Sequence, residues 1–154
     1  MMRQIMEYFE FLGLYYGEEK LKLLLDELAI DKAPVLSRGD FDTYLLKKAA
    51  GIELTFSDSV SLKFSERAYP DKSLVLVNVR YYGEKIQGFS IFQGDLPYGI
   101  AFGRKKADLL LLLGEPEWKN PEQSRLRWIR GNHRVHLTFD DNDKVIIVSV
   151  GLPF

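Results

Sequence analysis

Length, composition and charge restrict the protein to a few broad classes. The chain has 154 residues, a formal net charge of -1 at pH 7 and no cysteine. That length allows one domain, 1–154, with its own hydrophobic core, and 46% hydrophobic residues is ordinary for a globular protein. The lack of cysteine excludes disulfides and thiolate metal sites, and the nearly balanced charge argues against nucleic-acid binding, which requires a basic excess.

The N-terminal region does not have the pattern of a targeting or membrane segment. Glu7 and Glu10 interrupt the apolar stretch that a signal peptide requires. The longest apolar run, 109–113, is far too short to span a bilayer. We therefore expect a cytoplasmic protein that does not bind membranes.

The first half of the chain predicts helices followed by strands. Leu21, Leu24 and Leu25 recur at helical spacing, which indicates an amphipathic helix. Apolar and polar residues then alternate on either side of Ala50-Gly51, which indicates a hairpin. The predicted helices span 3–12 and 17–28, and the predicted strands span 43–48, 52–57 and 74–79, with an insert at 60–72 that contains a short strand at 61–64.

The second half has the same order of elements. Residues 135–141, VHLTFDD, resemble residues 52–58, IELTFSD, and a leucine-rich segment that begins with glycine precedes each of them. A β-branched strand closes each half. The predicted helix spans 103–113, and the predicted strands span 125–130, 134–140 and 145–150.

This matching order predicts an α+β fold made of two tandem helix-plus-antiparallel-meander repeats. The helices are expected to pack on one face of an antiparallel sheet. The repeat halves are residues 13–84 and 96–154, and a linking strand at 85–95 joins them.

The second half also resembles a known bacterial repeat. The residues that carry the resemblance are Gly103, Asp108, Leu109, Leu113, Gly114, Pro116 and Trp128. Their order is similar to that of the β-lactamase-inhibitor-like and SmpA/OmlA-like proteins, in which a helix pair packs on a short antiparallel meander. The chain lacks the anchoring cysteine of the SmpA/OmlA-like proteins and the disulfides of the β-lactamase inhibitors. The resemblance therefore implies a scaffold that grips another protein, without implying the same target or location.

The tandem layout and small size are also similar to those of bacterial immunity proteins that neutralise polymorphic toxins. This resemblance implies a protein-binding inhibitor that is not an enzyme, uses no cofactor and covers a cognate toxin or enzyme by steric occlusion. The alternative is an enzyme or small-ligand-binding protein with a site dispersed in sequence. Glu53, His136 and Asp140 would supply its acids and bases, although no motif such as GxSxG or HExxH organises them.

Strand alternation predicts which side chains such a partner would meet. On the third strand, Val75, Val77, Val79 and Tyr81 are predicted to face the core. Arginine and tyrosine, which are enriched at protein interfaces, then fall on the opposite face. The candidate partner-binding residues are Asn78, Arg80, Tyr82, Arg125, Arg127 and His136.

The sequence predicts no metal site. His133 and His136 are three residues apart on one strand and therefore point to opposite faces. Residues 140–143, DDND, begin like a calcium loop, but Val145 and Ile146 occupy positions where the loop pattern fails. A polar hairpin turn explains these residues better.

Overall fold

Seven antiparallel strands form one continuous sheet in the computed structural model, which describes residues 7–62 and 67–153. The strands are β1 (Asp42–Lys47), β2 (Ile52–Asp58), β3 (Leu74–Tyr82), β4 (Trp118–Lys119), β5 (Arg125–Arg130), β6 (His133–Phe139) and β7 (Val145–Gly151). Their spatial order is β1-β2-β3-β7-β6-β5-β4, so β7 lies at the centre of the sheet and β1 and β4 lie at its edges.

Two short α-helices, α1 (Glu19–Glu27) and α2 (Lys106–Leu113), precede the two groups of strands. Each helix buries leucines in the core, and Gly114, whose φ of 82° suits glycine, follows the last residue of α2. Single 3₁₀ turns occupy Tyr8–Phe11, Lys48–Ala50, Ser59–Ser61 and Pro97–Gly99. Within the described ranges, no helix is long and apolar enough to cross a bilayer.

Alternate residues of the strands form a hydrophobic core on one face of the sheet. Ile52, Leu54 and Phe56 of β2 are fully buried, as are Val135 and Leu137 of β6. Leucines of α1 and α2 belong to the same cluster, which places both helices on this side. Burial of each such side chain stabilises the fold by about 1.5–3 kcal/mol, so the strand alternation decides which face of the sheet is covered.

A β-bulge in β3 changes which of its residues face the core. Thr55 of β2 pairs with Asn78, but the residue after Thr55 pairs with Leu76, so Val77 is an extra residue in β3. Leu76 joins the core cluster, whereas Val75 and Val77 do not. The prediction that Val77 faces the core is wrong, because this inserted residue interrupts the alternation at the bulge, whereas Val75 is fully buried.

The prediction of two tandem helix-plus-meander repeats is also wrong. A single seven-stranded sheet dominates the described chain, and its two α-helices have only nine and eight residues. β3 pairs directly with β7, which merges all the strands into one layer. These two strands lie far apart in the sequence, and local apolar patterns carry no information about which distant strands become neighbours.

Three predicted segments differ from the structure or lie partly outside it. Residues 85–95 form a loop with one isolated bridge, between Ile86 and Phe89, instead of the predicted linking strand. In the predicted helix at 3–12, Tyr8–Phe11 form a 3₁₀ turn, and residues 3–6 lie outside the described residues. In the predicted strand at 61–64, Ser61 ends a 3₁₀ turn, and residues 63 and 64 lie outside the described residues.

Candidate functional site

One row of polar side chains crosses the face of the sheet opposite the core. Cross-strand pairing places Glu53 of β2 beside Arg80 of β3, and Arg80 beside Ser149 of β7. Ser149 in turn pairs with His136 of β6, and His136 pairs with Arg127 of β5. Directly paired residues point to the same side of a sheet, so five strands contribute polar side chains to one line.

The central strand forms the floor of a depression in this face. Two of its outward residues, Ser149 and Gly151, are small. A Cβ atom at position 151 would lie 2.9 Å from Oδ1 of Asn78, so glycine allows the two strands to approach closely. Longer side chains on the flanking strands surround this floor and enclose a depression of about 770 Å³.

Positive charge predominates among the side chains that line the depression. The lining carboxylates are Asp42 and Glu53, against four arginines. We refer to the arginines together with the histidine between them as the basic face, which comprises Arg80, Arg125, Arg127, Arg134 and His136.

Two arginines of the basic face form contacts with neighbouring polar side chains. The guanidinium of Arg80 lies 3.7 Å from the carboxylate of Glu53, and its Nε donates to Oγ of Ser149 at 3.2 Å. The Nε of Arg127 donates to Oε1 of Glu117 at 2.5 Å. These contacts fix the direction of both guanidinium groups, and they neutralise part of their charge.

The other two arginines, Arg125 and Arg134, form no salt bridge with any described residue. Burial and the positive charge of Arg127 lower the pKa of the half-buried Arg134 guanidinium, and the carboxylate of Glu117 offsets part of this effect. A guanidinium carries five N–H donors and stays charged in proteins. The basic face therefore has N–H donors and positive charge that no salt bridge with a described residue engages.

His136 lies at the centre of the basic face. Its imidazole is partly stacked on the indole of Trp118, with ring centroids 6.0 Å apart and planes inclined by 27°. Burial is the main cause that lowers its pKa from 6.5 to about 4, and the positive charges of all four arginines of the basic face lower it further. The imidazole is consequently neutral at pH 7.

Exposed apolar side chains flank the basic face at both edges of the sheet. Tyr44 and Leu46 of β1 are 54% and 45% exposed, and Ile129 and Trp118 at the opposite edge are 44% and 37% exposed. Their pairing partners lie on the polar side of the sheet, so these four residues lie on that side as well. We refer to Tyr44, Leu46, Trp118 and Ile129 as the apolar rims.

The structure brings together five of the six residues predicted to contact a partner. Tyr82 is the exception, because it is 4% exposed and stacks on Phe89, with ring centroids 4.1 Å apart. The phenol ring lies on the predicted side of the sheet, but the loop after β3 covers it. The five residues that do border the depression are Asn78, Arg80, Arg125, Arg127 and His136.

Sequence reasoning did not include Arg134 and Trp118 among the candidate residues. Arg134 is two positions from His136 on β6, so alternation alone places it on the same face. Trp118 belongs to a two-residue strand, which is too short to produce any recognisable alternation. Its position beside His136 follows only from the pairing of β4 with β5.

The remaining titratable candidates lie elsewhere. His133 is half-buried on the core side, where Nδ1 hydrogen-bonds to the hydroxyl of Tyr98 at 2.9 Å. Asp140 accepts hydrogen bonds from the backbone N–H groups of Asn142 and Lys144, both at 2.9 Å, as expected for a polar turn. The described residues contain no cluster of three or more His, Asp or Glu side chains that could hold a metal ion.

Comparison of the chain with protein-family models, with curated proteins and with solved structures found no match. The chemistry of the basic face is therefore the starting point for assigning a function.

Proposed function

We propose that the protein is a binding protein that inhibits another protein by covering an acidic surface of it with the basic face. The observation that supports this proposal is the unpaired positive charge of Arg125 and Arg134, held in a concave surface between two apolar rims. Arginine and aromatic side chains of this kind are the residues that most often dominate binding energy at protein interfaces.

The dimensions of the face fit a protruding part of a partner. β1 and β5 are separated by five strand spacings in the sheet, or about 24 Å at ~4.8 Å per spacing. A partner loop or helix end can enter the depression and still contact both apolar rims. Because the centre is charged and the rims are apolar, the contact at the centre has to be electrostatically complementary.

Charge complementarity also predicts the kinetic character of binding. Steering by the basic face accelerates association with an acidic partner, and added salt weakens this effect. An immunity protein that neutralises a toxin is the specific form of this proposal, with inhibition caused by steric occlusion of the toxin. The cytoplasmic location remains a prediction from the sequence.

A small anionic ligand is a second candidate, and the concavity of about 770 Å³ favours it. Acid–base catalysis by Glu53 and His136 as a pair is not supported. Their strands are three spacings apart, about 14 Å, which is too far for a direct proton transfer between the two side chains.

The test begins with capture of the tagged protein's partner from a lysate of its source organism. The captured protein is then purified, and its affinity is measured for the wild type, for Arg125→Glu/Arg134→Glu and for Lys22→Glu/Lys105→Glu. The last variant is a matched control, because it reverses the same amount of charge at exposed residues of the helix side.

We expect the arginine variant to bind at least 100-fold more weakly and the lysine variant to bind within threefold of the wild type. The partner's own activity should fall when the wild-type protein is added and should stay unchanged with the arginine variant. Equal affinity of both variants for the partner, or the capture of no partner, would refute the proposal.

A further inference from the structure

We propose that the basic face contains a discrete site for an anionic oxygen group, a carboxylate or a free sulfate- or phosphate-like oxyanion, that binds directly above His136. The inference deepens the proposed function and rests on it, because the same face would meet the partner. It specifies where in that face the negative charge is bound and what the binding does to the protein.

The arrangement of the strands places three arginines on the same face as His136 and close to it in the sheet. Arg127 is paired with His136, and Arg134 is two positions before His136 on the same strand and the same face. Arg125 is paired with Thr138, two positions after His136. Three arginines are thus near neighbours of one histidine on two adjacent strands, β5 and β6.

Existing contacts leave this position available. Arg127 is directed toward the edge of the sheet by Glu117, and on the other side of His136 the small Ser149 separates it from Arg80. Among the described residues, no carboxylate forms a salt bridge with Arg125 or Arg134. An anion at this position would therefore accept hydrogen bonds from two guanidinium groups that form no salt bridge with a described carboxylate.

The pKa of His136 reflects the positive charge around its ring. Charged residues lie on both sides of the ring. On the side of β4 and β5 these are Arg127, Arg125 and Glu117. On the side of β3 and β2 they are Arg80 and Glu53, and Arg134 lies on the same strand as His136. Burial lowers its pKa most, and the positive charges of all four arginines lower it further. An anion bound above the ring would offset these charges and raise the pKa of His136 toward its ordinary value.

Proton uptake and anion binding are consequently coupled. Because the coupling is reciprocal, an anion that raises the pKa must itself bind more tightly to the protonated form. If the pKa rises by two units, the anion binds about tenfold more tightly at pH 5 than at pH 7. A nonspecific positive surface without a titrating group would show no such pH dependence.

NMR titration of the purified protein tests the site without any partner. The chain has only two histidines, so spectra of His136→Gln assign the ring signals. The pKa of His136 is measured between pH 4 and pH 8 in three solutions of equal ionic strength. These contain an acetylated and amidated tetraglutamate peptide, sodium sulfate, or sodium chloride alone, and sulfate keeps its charge throughout this range.

We expect the peptide, sulfate or both to raise the pKa of His136 by at least one unit relative to chloride. A shift with the peptide alone assigns the site to a partner's carboxylate, and a shift with sulfate alone assigns it to a free oxyanion. The shift should be absent in Arg125→Gln/Arg134→Gln and preserved in the control Lys22→Gln/Lys105→Gln.

Two results would overturn the site. One is a pKa of His136 that neither anion changes more than chloride does. The other is an unchanged shift in the arginine variant, which would place the anion elsewhere. Either result leaves the partner-binding measurement to be judged separately, because an extended acidic surface can bind the basic face without placing a group above His136.

Discussion

Replacement of His136 by glutamine should remove a specific part of the pH dependence of stability. In the native protein the pKa of His136 is lowered from 6.5 to about 4, mainly by burial and further by the surrounding arginines. In the unfolded chain the imidazole has its ordinary pKa, so it takes up a proton as the pH falls through about 6.5. Because the unfolded state binds more protons, the free energy of unfolding decreases as the pH falls from about 6.5 toward 4.

The size of this decrease follows from the shift in pKa. A shift from 6.5 to about 4 corresponds to at most about 3.4 kcal/mol. The ring is only partly buried, so solvent screening reduces the value, and we expect ~2 kcal/mol. Below about pH 4 the native imidazole is also protonated, and the contribution of His136 no longer changes.

Urea denaturation at pH 7.0, 6.0, 5.0 and 4.5 measures this contribution. The carboxylates titrate in both proteins, so the difference between wild type and His136→Gln isolates the histidine. We expect the wild type to lose ~2 kcal/mol more than the variant between pH 7.0 and pH 4.5. If the two proteins lose the same free energy of unfolding over this range, the imidazole is not held neutral by its surroundings and the electrostatic reasoning fails.

Two further substitutions test the core and a close backbone contact. Trp128→Phe removes the hydrogen bond that the buried indole Nε1 donates to a backbone carbonyl at 2.8 Å, and it should lower the free energy of unfolding by about 1–3 kcal/mol. The substitution Trp118→Phe at an exposed tryptophan is the control and should lower the free energy of unfolding by less. Equal losses for the two variants in urea denaturation would contradict the stabilising role of the Trp128 hydrogen bond. Gly51 and Gly39 both have positive φ, but a Cβ at Gly51 would lie 2.6 Å from the backbone nitrogen of Phe92, whereas nothing lies within 4 Å at Gly39. Gly51→Ala should therefore be about 2 kcal/mol less stable than Gly39→Ala, and equal thermal stability of the two would rule out the close contact.

Sequence patterns predict the strands of this protein well, because each strand has an apolar side that must be buried. The alternation in β2, β5 and β6 places Phe56, Leu126 and Val135 in the core, and it places Arg127 and His136 on the opposite face. The same reasoning works for most of the candidate site, since the site consists of the outward residues of regular strands.

The errors arise where tertiary contacts override a local pattern. The bulge at Val77 inserts one residue into β3, and only the pairing with β2 reveals it. Tyr82 is on the predicted side of the sheet, but Phe89 in the following loop covers it. The tandem-repeat prediction fails because it treated each group of strands as a separate unit, whereas the pairing of β3 with β7 depends on residues more than 60 positions apart.

The central position of β7 has a consequence for the order in which the protein can fold. β3 ends at Tyr82, and the strand that pairs with its residues 78–82 does not begin until Val145, so this part of β3 keeps an open edge until β7 has been synthesised. β6 also has an open edge on the side where β7 will lie, and the pairing of β7 closes the open edges of both strands. Closing such a distant pairing is slow, and open strand edges are sites of aggregation in the meantime. The basic face is completed in the same step, because Ser149 of β7 connects Arg80 to His136. A nascent or truncated chain without β7 would therefore have two incomplete sheets, with Arg80 on one and His136 on the other.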